Sequence, residues 1–238
     1  MRIAFVLPFA AVFTFMLAGC KPGGGGDTAP PAASAPPASG AAAAPQQAPR
    51  LTPLPDKTVP ALTQVTKVRL ATTAGDVVIE VYPQAAPNAA KRFVELVTSG
   101  FYDETPISRV VPGFVAQFGV NWREPHKAWD GRPFNDDPSL FSLERGTLAF
   151  AKAGRPGTAS TQVFINYREN NRLADPSPQL SFWTFGKVVG GMDVVDSFAQ
   201  VGDPSGGLDQ DRLWNDGGAY LESLPVKPTM IETATVVQ

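Results

Sequence analysis

The stretch that decides the reading of this chain is Ser108-Arg109-Val110-Val111-Pro112-Gly113-Phe114-Val115-Ala116-Gln117-Phe118-Gly119. Its apolar and β-branched residues fall into two short strand-like runs, Ile107 to Val111 and Val115 to Gly119, separated by Pro112-Gly113. One arginine and one glutamine stand inside them. A lone strand arginine is ordinarily solvated or salt-bridged at a surface, so what Arg109 means depends on its surroundings.

Those surroundings repeat the pattern. Val68 to Ala71 and Val77 to Tyr82 are strand-like and flank Thr73-Ala74-Gly75-Asp76, whose small and turn-forming residues suit a hairpin. Pro87-Asn88 opens a helix that Asn88 is expected to cap, with Ala90, Phe93, Leu96 and Val97 on one apolar face and Gly100 at its end. Further short strands are expected over Thr147 to Ala151, Val163 to Asn166, Thr184 to Val189 and Ile231 to Val237. A second short helix after Gly191 would carry Met192, Val195 and Phe198. Neither linker nor internal repeat interrupts this pattern, so residues 66–238 read as one domain. Many short strands with only two helices argue for a β-rich barrel or sandwich, and pattern alone does not choose between them.

The N-terminal part has a different character. Arg2 followed by the apolar stretch Ile3 to Leu17 reads as a targeting signal, too short for a comfortable membrane span. It closes on Leu17-Ala18-Gly19-Cys20, which resembles the lipobox of bacterial lipoproteins. Residues 1–19 are thus expected to be a lipoprotein signal peptide and Cys20, the only cysteine, the acylated first residue of the mature chain. With no second cysteine, no disulfide is possible. Each acyl chain contributes roughly 0.8 kcal/mol per buried methylene, so two or three would hold the protein at a bilayer. Lys21 follows where an Asp would, by analogy with enterobacterial lipoproteins, retain the protein at the inner membrane. The expectation is an outer-membrane anchor with the domain in the periplasm.

Residues 20–65 then read as a tether. Lys21 to Val65 holds ten of the 24 prolines, the run Gly23-Gly24-Gly25-Gly26 and the run Ala41-Ala42-Ala43-Ala44. Such composition cannot bury enough apolar surface to offset chain entropy and is expected to stay disordered, spanning roughly 35 to 40 Å as a coil. Over all 238 residues, 43% hydrophobic and 18% charged content is ordinary for a globular protein, and the net charge of −2 supplies no basic field. Nucleic acid is excluded as the main partner on that ground, and membrane contact is assigned to the lipid alone. A hydrolase is disfavoured as well: with His126 the only histidine and Cys20 the only cysteine, the chain lacks a His-based or metal constellation.

In order and spacing, several blocks resemble the cyclophilin family. They are Thr72 to Asp76 leading into Val77 to Tyr82, Ala86 through Phe93 to Asp103, Ser108 to Gly119, Gly146 to Gly154, Thr161 to Asn166, and Phe185 to Asp196. The resemblance implies a mainly β fold, a closed eight-stranded barrel capped by two α-helices with a groove on its outer face. It also implies rotation about Xaa-Pro bonds without cofactor or metal. Arg109 corresponds to the family's catalytic arginine, Gln117 to a polar groove residue, and Phe114 and Phe164 to walls of the proline pocket. Val115 stands where many members have Met. Ala151, Lys152 and Ala153 fall on the edge that holds the substrate backbone, and Gln162 on the neighbouring floor. Phe182 and Ser108 occupy positions where many members have His, and Leu173 is the best match for a wall that a Trp supplies in several members.

These residue types suit the chemistry. The barrier to peptide-bond rotation, roughly 18 to 20 kcal/mol, comes from amide resonance. In the twisted transition state the prolyl nitrogen becomes pyramidal and gains a lone pair, so a fixed donor aimed at it binds that state better than either planar isomer. Arginine stays charged and presents several donors on a rigid fork. The expected substrate is a proline-containing polypeptide met by a monomer. A cyclophilin-like module that grips such segments with little or no turnover is the competing reading.

Overall fold

The computed structural model describes residues 51–174 and 181–237. Eight strands alternate apolar residues inward and outward: β1 (Thr66–Thr72), β2 (Gly75–Val81), β3 (Thr105–Val111), β4 (Val115–Phe118), β5 (Thr147–Phe150), β6 (Val163–Asn166), β7 (Gly186–Gly190) and β8 (Met230–Val237). They close into a barrel in the order β1-β2-β7-β5-β6-β4-β3-β8, every pair antiparallel. Closure decides between the two architectures that pattern left open, and it removes sheet edges.

The side-chain period of two sets which residues meet the core. On β4, Ala116 and Phe118 face the interior; on β5, Leu148 and Phe150; on β6, Val163 and Ile165. Their neighbours Val115, Ala149 and Phe164 belong to a second cluster on the outer face, covered by Leu54, Leu143 and Ala174. Helix α1 (Pro87–Thr98) adds Phe93, Leu96 and Val97 to the interior. Fully buried Phe93 lies 5.1 Å from the ring of Phe185 and 5.5 Å from that of Tyr102, and Phe185 in turn lies 5.3 Å from Phe150.

Four details differ from the sequence expectations. First, Asn88 does not cap α1. The helix begins at Pro87, which has no N–H to leave unpaired, and the cap comes from far along the chain: the Asp137 carboxylate accepts from the amides of Asn88 (3.1 Å) and Ala89 (2.8 Å). Second, packing begins upstream of residue 66. Leu51 and Leu54 are only 5% and 8% exposed, Leu54 donates its amide to Leu140 (2.9 Å), and Thr52 accepts from Ser142 (2.8 Å). The proline-rich composition conceals these two leucines, whose burial outweighs the local preference for coil. Residues 1–50, with the expected signal peptide, Cys20 and most of the tether, lie outside the described residues.

Third, there are more than two helices. α2 (Met192–Asp196) is the expected second one, although it ends before Phe198, and α3 (Gln210–Asp216) and α4 (Gly218–Ser223) follow it. These last two bury Leu213 and Tyr220 against Val120, Val201 and Leu208 as a separate small cluster. Fourth, β3 is not regular. Ile107 pairs with Phe118 and Arg109 with Gln117, which leaves Ser108 as an extra residue. Two testable consequences concern stability. Phe93→Ala is expected to lower the unfolding free energy by about 3 to 5 kcal/mol in urea titration of the domain. Asp137→Ala is expected to lower it by about 1 kcal/mol through loss of the remote cap.

Candidate active site

The bulge at Ser108 orients the key side chain. Ile107 points into the core, and strict alternation would point Arg109 there too. The extra residue reverses the phase, so that Arg109 turns outward while Val110 packs inside. Arg109 then heads a row of cross-strand partners on the outer face: Arg109 opposite Gln117, Gln117 opposite Phe164, Phe164 opposite Ala149.

Above this row lies a cleft of about 320 Å³ lined by Arg109, Phe114, Val115, Gln117, Ala151, Lys152, Phe164, Leu173 and Phe182. Nine of the eleven groove residues expected from the sequence therefore meet in one place. Gln162 is not on the lining and reaches it through Gln117, whose Nε2 donates to Gln162 Oε1 at 2.7 Å. Ala153 lies outside, exposed, with its amide donated to Thr158 Oγ1 (3.0 Å). The reason is local: past Phe150 the chain leaves β5, and two residues further on it has turned into the loop that Thr158 closes.

The walls are held by backbone anchors. The Phe114 carbonyl accepts from the amide of Tyr167 (2.9 Å) and from Asn170 Nδ2 (3.2 Å), and buried Asn170 also accepts at its carbonyl from Leu173 (2.8 Å). Phe182 donates its amide to the Leu173 carbonyl (2.9 Å), accepts from Ser139 Oγ (2.8 Å), and meets Phe164 edge-on at 5.5 Å. One asparagine thereby fixes two walls and, through Leu173, a third.

The two cations at the cleft differ. The Lys152 side chain is only 1% exposed, and its ammonium donates to Asp136 Oδ2 (2.8 Å) and to the Ser181 carbonyl (2.6 Å), so its charge is committed within the protein. Arg109 is half-buried; its Nε donates to the Ser205 carbonyl (2.6 Å) and its Nη1 to Gln117 Oε1 (3.2 Å). A guanidinium carries five N–H donors, so others are left for a substrate. Burial lowers the Arg109 pKa somewhat, but an arginine starts so high that it stays charged at neutral pH. Its carbon lies 5.7 Å from the Phe114 ring centroid, with Arg172 at 5.5 Å from the same ring. Charge, a partly aromatic slot and oriented amides thus converge on one cleft that lacks a nucleophile-base pair among the described residues.

Comparison with known proteins gives the family. The sequence pattern of the family described as "Cyclophilin type peptidyl-prolyl cis-trans isomerase/CLD" matches residues 67–224. The chain belongs to the cyclophilin family. It is 38% identical over 148 residues to a peptidyl-prolyl cis-trans isomerase of Acinetobacter baylyi, covering 61% of this chain and 78% of that one. It is also 34% identical over 175 residues to peptidyl-prolyl cis-trans isomerase B of Escherichia coli, covering 71% and 98%. Among solved structures, a cyclophilin of Cryptosporidium parvum shares the fold with a TM-score of 0.55 at 22% identity, covering 74% of this chain and 99% of that one. This cyclophilin is a peptidyl-prolyl cis-trans isomerase, and its substrates are proline-containing polypeptides.

Sequence reading missed three contributors: the bulge at Ser108, Asp136 beneath Lys152, and the segment that presents Ser205. Only the last left a trace, as an unusually Gly- and Asp-rich stretch from Gly202 to Gly218. The Lys152–Asp136 pair carries a prediction. Asp136→Ala strands a buried ammonium and is expected to destabilise the domain by about 2 to 3 kcal/mol, less than a fully buried pair because Asp136 keeps some solvent. Lys152→Met, which removes the charge and keeps the volume, is expected to be clearly milder in the same urea titration.

Proposed function

We propose that this cyclophilin accelerates Xaa-Pro rotation by donating a hydrogen bond from Arg109 to the prolyl nitrogen, in exported or envelope proteins outside the cytoplasmic membrane. The observation that carries the mechanism is the position of Arg109: a half-buried guanidinium at the edge of an apolar cleft, held on one side by Gln117 and on another by Ser205. Phe114, Val115, Phe164, Leu173 and Phe182 offer the pyrrolidine ring a dry seat, and excluding water strengthens any bond that Arg109 makes there. The planar amide nitrogen has no lone pair to share, so the arginine bond forms only as the bond twists. That difference is the catalytic effect. Gln117 orients the fork, while Ala151 and Lys152 shape the edge along which the polypeptide lies.

The setting is read from the N-terminus. The lipobox-like Leu17-Ala18-Gly19-Cys20 supports a lipid anchor on Cys20, and Lys21 an outer-membrane destination with the domain in the periplasm. Among the described residues no helix is long and apolar enough to cross a membrane. Rotation about Xaa-Pro bonds takes roughly tens to hundreds of seconds unaided, slow enough to limit folding where ATP-driven chaperones are absent.

Exchange NMR on an Ala-Pro peptide tests the mechanism. Arg109→Ala is expected to lower kcat/KM about 100- to 1000-fold, the range seen when a transition-state donor is removed, with little change in thermal midpoint. Unchanged exchange in a folded Arg109→Ala protein rejects the arginine mechanism. For the setting, Cys20→Ala in the full-length chain is expected to move the protein from the membrane to the soluble fraction. An unchanged distribution rejects the anchor.

A further inference from the structure

The geometry points to the segment Asp203–Gln210 as a positioning device for the active site, one that sets the guanidinium of Arg109 and the polarity of the groove amides from outside the barrel strands. The inference rests on the reading of Arg109 as the catalytic donor.

Three contacts join the segment to the site. Leu208 donates its amide to the Ser108 carbonyl at 2.8 Å, which pins the bulge residue that turns Arg109 outward. Ser205 offers its carbonyl to Arg109 Nε at 2.6 Å. Gln210 Oε1 accepts from Gln162 Nε2 at 3.1 Å, and the same two amides meet again at 3.5 Å. The bonds form a circuit that leaves the segment at Ser205 and returns to it at Gln210, through Arg109, Gln117 and Gln162.

The circuit has a direction. Arginine only donates, so Gln117 must turn its oxygen to Arg109 and its amide nitrogen to Gln162. Gln162 must then present its oxygen to Gln117 and its nitrogen to Gln210. The Gln210 oxygen is the acceptor that closes this chain of donors. It also fixes which atoms of Gln117 face the groove.

The segment is built to hold this shape. The Asp203 and Gly207 backbones bond to each other at 2.7 and 2.8 Å, and the Asp203 carboxylate oxygen Oδ1 accepts from the Ser205 amide (2.9 Å), the Ser205 hydroxyl (2.8 Å) and the Gly206 amide (2.7 Å). These donors hold the Asp203 carboxyl below the usual carboxylate range, so the turn is fully charged at neutral pH. Gly207 has a φ of +76°, and a Cβ there would lie 2.6 Å from Cβ of Arg109; only glycine allows the segment to approach the strand so closely. An arginine side chain held at Nε and Nη1 has few rotamers left to lose on reaching the transition state.

The test uses the full-length protein and an Ala-Pro peptide. Asp203→Ala loosens the turn, and Gln210→Leu removes the terminal acceptor; both residues are exposed and clear of the barrel core. Each is expected to lower the exchange rate at saturating peptide about three- to tenfold, the loss of roughly one positioning hydrogen bond, while peptide affinity stays within about twofold. Asp203→Asn and Gln210→Glu keep an acceptor oxygen and are expected to recover most of the rate. The second readout needs no turnover: the Arg109 Nε–H is expected to exchange slowly with solvent in the wild type and faster in Asp203→Ala. Wild-type turnover rates in both Asp203→Ala and Gln210→Leu overturn the proposal, as does an unchanged Nε–H exchange rate in Asp203→Ala. Because that last measurement is independent of catalysis, a failure of the positioning is told apart from a failure of the Arg109 mechanism, which shows in Arg109→Ala alone.

Discussion

A closed barrel gives each strand residue only two places to go, the interior or the outer face, and successive residues must alternate between them. Everything at the active site follows from that constraint and from one departure from it. Because Ala116, Phe118, Val163, Ile165, Leu148 and Phe150 fill the interior, Val115, Gln117, Phe164 and Ala149 have to line the outside. The groove is the reverse side of the core, and a shift of one residue in the register of β4 or β6 would exchange the two. The departure is Ser108. Without the extra residue, Arg109 would share the side of Ile107 and place an unpaired charge beside Phe118 in the core, at a large desolvation cost.

The charges near the cleft are distributed by the same reasoning. A low-polarity slot strengthens any hydrogen bond formed within it, but it equally penalises any cation that lacks an acceptor. Lys152 meets that penalty with Asp136 and the Ser181 carbonyl and serves the slot with its apolar stem. Arg109 meets it only in part, with a neutral carbonyl and a neutral amide, so its charge is not cancelled.

How much of this was legible in the chain depends on whether the information is local. Strand positions, the turn after Thr72 and the apolar face of α1 follow from periodicity and turn chemistry, and they are where expectation and structure agree to within two residues or so. The family blocks named nine residues that do line one cleft. What was not legible depends on partners remote in sequence. Asn88 looks like a helix cap, yet Asp137 performs that task 49 positions away; residues 51–65 look like coil, yet Leu51 and Leu54 pack beside Phe141, Leu143 and Phe164. Ala153 belongs to the right block but lies just beyond the point where the strand turns off.

By itself, then, the sequence determined the fold family and the chemical inventory: short alternating strands, an arginine and a glutamine on successive strands, and aromatic residues enough to make an apolar slot. Those properties are carried by residue type and spacing. Only the tertiary structure decided the phase of β3 at Ser108, the acceptor beneath Lys152 and the docking of Asp203–Gln210 against Arg109, because each of these is a choice of partner across the barrel. Composition states which groups can bond; closure of the chain on itself states which ones meet.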